Sequence, residues 1–121
     1  MVIDTNIIIA YLKGESGVVA ELDGWREERQ TLLISSVTFS EVLSYPTLQP
    51  AEVDEARDYL NTFIAVPFDN TLGEIAAALR RLYRLAMPDA AIAATAVKYG
   101  VPLVTRDQDF RAIKEVQIVA I

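Results

Sequence analysis

Five short apolar runs, MVI, TLLISS, IAVPF, VPLVT and VQIVA, recur along the chain, and what lies between them has helical character. That alternation constrains the fold most. Each run is of strand length, and each reads as nearly continuous apolar sequence rather than as an alternating stripe. Strands of that kind are buried on both faces. After the first run, TNIIIAYLK reads as a helix, with Asp4 or Thr5 available as its N-cap. SGVVAELDGWREERQ has helical period and a charged end, with Trp25 as a packing anchor whose N–H reaches the surface. VTFSEVLSY continues from the second run as a helix. Tyr45-Pro46 and Gln49-Pro50 then break the chain before the acidic amphipathic helix AEVDEARDYLNTF. DNTLGEIAAALRRLYRL reads as a long helix capped by Asp69 or Thr71, with Thr71-x-x-Glu74 as a capping box. In MPDAAIAATAVKYG, Pro88 suits the first helical position and Gly100 the position just past the end. RDQDFRAI reads as a short helix or turn. Strands alternating with helices predict an α/β fold, a parallel sheet covered on both faces.

Composition bounds the chemistry. The 121 residues fit one compact domain, 1–121, and about half of them are apolar. No run approaches the ~18 apolar residues of a membrane span, and the N-terminus lacks the pattern of a signal peptide, so a cytoplasmic protein without membrane contact is expected. There is no cysteine and no histidine. This removes disulfides, thiolate zinc sites, thiol nucleophiles, histidine general bases and Ser-His triads. The net charge of −6 does not suggest a nucleic-acid binder by bulk electrostatics. A cluster of acids can still hold cations that reverse the local sign.

In a parallel sheet the functional crevice lies outside the carboxyl ends of the strands. This rule sorts the acids. Asp4 follows the first strand, Glu41 lies near the start of the helix after the second, Asp69 follows the third, and Asp107 follows the fourth. Asp89 opens the helix that leads into the fourth strand. Taken singly, each aspartate is explained as a helix cap and Glu41 as the end of a Thr38-x-x-Glu41 capping box. DNTLGE explains Asp69 fully in that way. Taken together, acids crowded beside apolar strand ends would repel one another, and divalent cations remove that repulsion. Oxygen ligands without His or Cys suit Mg²⁺ or Mn²⁺, and such a site suits hydrolysis of a phosphodiester. Arg80, Arg81 and Arg84 form a basic stretch in which positions 80 and 84 share a helix face, suited either to phosphate contact or to a solvated helix end.

The segments VIDTNIIIAYL, SSVTFSEVLSY, PDAAIAATAVKYGVPLVT and TRDQDFRAI, in this order and spacing, resemble a PIN domain, more closely the VapC-type toxin ribonucleases of prokaryotic toxin–antitoxin pairs. The resemblance covers essentially the whole chain. It implies a three-layer α/β/α fold with a five-stranded parallel sheet of order 3-2-1-4-5. It further implies an Mg²⁺- or Mn²⁺-dependent endoribonuclease that cuts RNA with metal-activated water. Asp4, Asp89 and Asp107 match metal-ligand positions, with Asp109 as the fallback for Asp107. Glu41 matches a metal ligand or water-positioning base. Asn6 and Thr105 match polar positions that orient the acids. The sheet order would set Asp69 apart from this cluster. Partners implied are RNA, a cognate antitoxin gripped by TFSEVLSYPTLQPAEVDEARDYL, and a second copy in a homodimer. Val42, Leu43, Tyr45 and Leu48 could line the antitoxin groove or pack in the core. Arg80, Arg84 and Arg106 are candidate RNA contacts, and Arg106 could instead neutralise the acids.

Two other readings compete. A receiver-like signalling domain would use Asp69 as phosphoacceptor, with Thr105 after the fourth strand in support. Against it, the first strand ends in a lone acid, and no lysine ends the fifth. A PIN-like module without activity, acting only in binding, would not need all four acids, and all four are present.

Overall fold

The computed structural model describes all residues, Met1–Ile121. Strands β1 (Val2–Ile3), β2 (Leu33–Ser35), β3 (Ile64–Val66), β4 (Leu103–Val104) and β5 (Ile118–Val119) form one parallel sheet of order β3-β2-β1-β4-β5. This is the order that the resemblance implies. It also overturns the receiver-like reading, because that arrangement places the third strand inside the sheet. Here β3 is an edge strand, and Asp69 stands at the sheet margin.

Helices cover both faces. They are α1 (Thr5–Leu12), α2 (Ser16–Glu27), α3 (Ser36–Leu43), α4 (Val53–Leu60), α5 (Asn70–Tyr83) and α6 (Met87–Tyr99). Short 3₁₀ turns occupy Pro50–Glu52 and Gln108–Ala112. Side chains alternate across a strand, so successive strand residues feed two separate cores. Val2, Leu33 and Leu103 pack with Leu72, Leu79, Ile92 and Phe110 under α5 and α6. Ile3, Ile34 and Val104 pack with Ile7, Ile8, Leu22 and Leu60 under α1, α2 and α4, with Trp25 partly buried against them. The inner strands β1, β2 and β4 are buried on both faces and need apolar runs, whereas edge strand β3 leaves Ile64 and Ala65 exposed.

Helix α6 lies deepest. Ala90, Ala91, Ala93 and Ala94 are fully buried, as is Ile92. Only a side chain as short as alanine lets a helix be enclosed so completely with its neighbours close around it. Gly100 ends it at φ +62, a left-handed conformation that glycine adopts without steric cost.

Several helix starts differ from expectation. Ser35, not Thr38, caps α3, its hydroxyl accepting from the Val37 N–H at 3.2 Å. The helix follows β2 with no linking residue, which leaves Thr38 inside it and buried, so no Thr38-x-x-Glu41 box forms. Of the two caps offered for α5, Asp69 serves, accepting from the Leu72 N–H at 3.0 Å. Met87 precedes Pro88 as the first residue of α6, and the AEVDEARDYLNTF helix is regular only from Val53.

Candidate active site

Asp4 sits where β1 ends and α1 begins. Its Oδ1 accepts from the Thr5 N–H at 2.7 Å, and its Oδ2 accepts from the Thr105 hydroxyl at 2.6 Å. β4 lies beside β1, which brings Thr105 to it. The carboxyl is only 4% exposed and no cationic side chain pairs with it. Burial pushes its pKa up to about 6, against the pull of the two hydrogen bonds and with help from Asp89 and Glu41.

Glu41 reaches in from α3. Its Oε1 accepts from the Thr5 hydroxyl at 2.7 Å, and that hydroxyl lies 3.3 Å from the Thr38 hydroxyl. Asp89 is half-buried in the first turn of α6, where the helix dipole favours a negative charge. Its pKa is nevertheless raised, first by burial and then by Asp107, Glu41 and Asp109. Asp107 follows β4 in a tight turn. Its N–H donates to the Thr105 hydroxyl at 2.9 Å, and its own carboxylate accepts from the Asp109 N–H at 2.9 Å. Thr105 thus ties Asp4 to Asp107.

Asp4, Asn6, Glu41, Asp89 and Asp107 line one open cleft of about 250 Å³, together with Thr5, Ile9 and Tyr45. The amide oxygen of Asn6 is buried without a hydrogen-bond partner. Asp109 lies outside this cleft and lines the next one beside Asp89. Asp69 lines a separate depression with Phe68 and Asn70. The donor set fits a hard divalent cation: oxygens only, several negative charges without a counter-charge, and one orphaned amide oxygen. As placed, no three acidic side chains converge tightly enough to form a ready-made metal cage.

The basic candidates separate. Arg80 turns back on its own chain, Nε donating to the Leu85 carbonyl at 3.1 Å, and so braces the α5–α6 connection. Arg84 does not share its helix face. It lies one residue past α5 in the left-handed region, at φ 55. Arg106 pairs with Glu15 and donates from Nε to the Ile121 carbonyl, so it does not neutralise the acids. Beside the cleft, Tyr45 and Leu48 line an apolar groove with Ile9 and Leu12; Val42 forms its floor as a buried core residue, and Leu43 is partly buried outside the groove. Thr5, Thr38 and Tyr45 had not been singled out for the site. A polar residue predicted inside an apolar helix was the only available signal for the two threonines.

The profile of the PIN domain matches residues 1–116. The chain belongs to the PIN-domain family. A search of curated proteins finds no significant match. Among solved structures, this PIN domain is similar to a chain of a toxin–antitoxin complex from Klebsiella pneumoniae. The two are 31% identical, with a TM-score of 0.83, over 98% of this chain and 94% of that one. FitAcB from Neisseria gonorrhoeae matches at 26% identity and a TM-score of 0.77, over 97% and 94% of the two chains. VapBC2 from Rickettsia felis, bound to a promoter DNA fragment, matches at 18% identity and a TM-score of 0.84, over 99% and 97%. That last likeness speaks for the fold alone.

Within the PIN domain, the Thr105 hydroxyl is the strongest local support for an ionised Asp4. Thr105→Val should lower stability at pH 8 by about 2 kcal/mol, the cost of losing a hydrogen bond to a charged group. It should also raise the Asp4 titration midpoint further, read by carboxyl NMR on metal-free protein. An unchanged midpoint would show that the hydroxyl is not what holds the charge.

Proposed function

We propose that this PIN domain is an Mg²⁺- or Mn²⁺-dependent endoribonuclease, the VapC-type toxin of a toxin–antitoxin pair. One observation carries the reading. Asp4, Glu41, Asp89 and Asp107, far apart in sequence, line a single cleft at the carboxyl ends of β1, β2 and β4 with no side-chain counter-charge. The 31% identical relative from a toxin–antitoxin complex supports the toxin assignment.

Asp4, Asp89 and Asp107 would hold the cation, with Glu41 as a further ligand or as the base. When bound, a divalent cation makes water more acidic and offsets charge at the phosphate. The chain's own residues do the rest. Thr5 N–H and Thr105 fix the orientation of Asp4. The Thr5 hydroxyl holds Glu41, leaving its second carboxylate oxygen to accept the proton of the attacking water. Asn6 lines the same cleft, its amide oxygen buried and unpaired. The water oxygen bonds to phosphorus in line as the bond to the 3′ oxygen breaks, leaving a 5′-phosphate and a 3′-hydroxyl.

The groove lined by Ile9, Leu12, Val42, Tyr45 and Leu48 shares Ile9 and Tyr45 with the acid cleft. An apolar antitoxin segment seated there would end over the acids, where a basic residue would block them. No helix is long and apolar enough to cross a membrane. We place the protein in the cytoplasm as a single domain, paired with itself and with its antitoxin.

The test is RNA cleavage with Mg²⁺ or Mn²⁺, with EDTA, and in Asp89→Asn. Chelation should abolish cleavage, and Asp89→Asn should reduce it at least about 100-fold. Cleavage that survives both changes would sink the proposal. Failure of Mn²⁺ to bind, read by calorimetry, would favour an inactive binding module.

A further inference from the structure

We propose that the RNA strand runs from the acid cleft across Asp89 into a neighbouring cleft, where Arg84 holds a phosphate beside the bond that is cut. This rests on the ribonuclease reading above. The second cleft, about 440 Å³, is lined by Arg84, Asp89, Gln108 and Asp109. Asp89 lines both clefts, so the two adjoin at a residue of the candidate site.

Beside this cleft two chain segments rich in cations meet, while the cleft itself holds Arg84 with Asp89 and Asp109. The Tyr83 hydroxyl donates to the Glu115 carboxylate and accepts from the Lys114 N–H, which pins the end of α5 to the segment after the Gln108–Ala112 turn. The two pinned segments bring together Arg80, Arg81, Arg84, Arg111 and Lys114, five of the eleven cationic residues. Arg80 is spent on the Leu85 carbonyl. Arg81, Arg84, Arg111 and Lys114 are exposed and make no ion pair. Of these, only Arg84 lines the cleft itself. A guanidinium there can bind a phosphate through two N–H groups at once.

The backbone agrees. α6 ends on Gly100 at φ +62, while α5 ends on Arg84 at φ 55, where glycine would fit without strain. Strain kept in place at a cleft points to a use for the side chain. Arg29 has the same conformation, at φ 59, so the conformation alone does not separate the two. Their surroundings do. Arg29 precedes β2, at the amino edge of the sheet, opposite the acids.

That pair supplies a matched experiment: Arg84→Gly and Arg29→Gly make the same chemical change on opposite edges. The probe is an end-labelled single-stranded RNA of randomised sequence, cleaved with Mg²⁺ over a range of salt concentrations. Both variants should melt no lower than wild type, because glycine relaxes a positive φ. Arg84→Gly should raise KM about tenfold with kcat little changed, and should lower the slope of log(kcat/KM) against log salt by about 0.7, one phosphate contact. Arg84→Lys should restore the slope and part of the KM. Arg29→Gly should match wild type in both. Wild-type KM and slope in Arg84→Gly would overturn the path and leave the ribonuclease standing. A wild-type protein that cuts no RNA would overturn both.

Discussion

Asp4→Asn should abolish RNA cleavage and at the same time make the metal-free protein harder to melt at pH 8. The loss of cleavage follows from the position of Asp4, which faces Asp89 and Glu41 at the centre of the cleft. Removing a charge that offsets a cation at the reacting phosphate is worth several kcal/mol, on the order of 10³-fold in rate. The gain in stability follows from burial. The Asp4 pKa is about 6 in the folded chain, against an ordinary 3.8. The folded state therefore holds the proton more tightly than the unfolded one. Its penalty is absent below about pH 4, grows as pH rises toward 6, and is complete above that. At pH 8 it amounts to about 3 kcal/mol. A neutral asparagine escapes it, so Asp4→Asn should melt roughly 10 °C higher at pH 8 and show little difference at pH 4. Adding Mg²⁺ should narrow the gap, because a ligand that binds only the folded state stabilises wild type. A variant that melts lower than wild type at pH 8 would show that the carboxylate is not under strain.

Phe110→Ala should produce the largest loss of stability. Phe110 is 1% exposed and is among the largest fully buried side chains. It packs with Leu103, Ile113 and the alanines of α6. Deleting the ring costs about 3–5 kcal/mol in transfer and cavity contributions, a large part of the roughly 5–15 kcal/mol available to a domain. Denaturant titration reads this directly. A loss below about 1 kcal/mol would mean that the core closes around the gap. Cleavage should weaken as well at temperatures well below melting. The Gln108–Ala112 turn that carries Phe110 begins just after Asp107, and it is the Asp109 N–H in that turn that steadies the Asp107 carboxylate.

Much of this was readable from residue order. Uninterrupted apolar runs announced a buried parallel sheet, although Ile64 and Ala65 of the edge strand are exposed, and the rule that sites form at carboxyl strand ends separated Asp4, Glu41, Asp69, Asp89 and Asp107 from the solvated acids. All of these but Asp69 share a cleft. Asp69 behaved as the cap that DNTLGE suggested. What could not be read depended on contacts across the sheet or on a single backbone angle. Thr105 was expected to orient the acids, but the role of Thr5 in holding Glu41 depends on β1 lying beside β2, which no local pattern reveals. Thr38-x-x-Glu41 looks like a capping box only if one does not know that Ser35 has already started the helix. Arg80 and Arg84 look equivalent at a spacing of four until the chain leaves the helix between them. Arg106 stands next to Asp107 in sequence yet reaches Glu15 instead.

The bond between Asp4 and Thr105 joins residues 101 positions apart, and the Asp4 N–H donates to the Val104 carbonyl beside it. During synthesis, Asp4 is made 101 positions before Thr105 and must wait for it. Until β4 emerges, the acids of β1 and α3 have no Thr105 and no Asp107 to complete them. A chain whose synthesis has not yet passed β4 therefore carries no assembled cleft, and whatever chemistry the cleft performs cannot begin before that point.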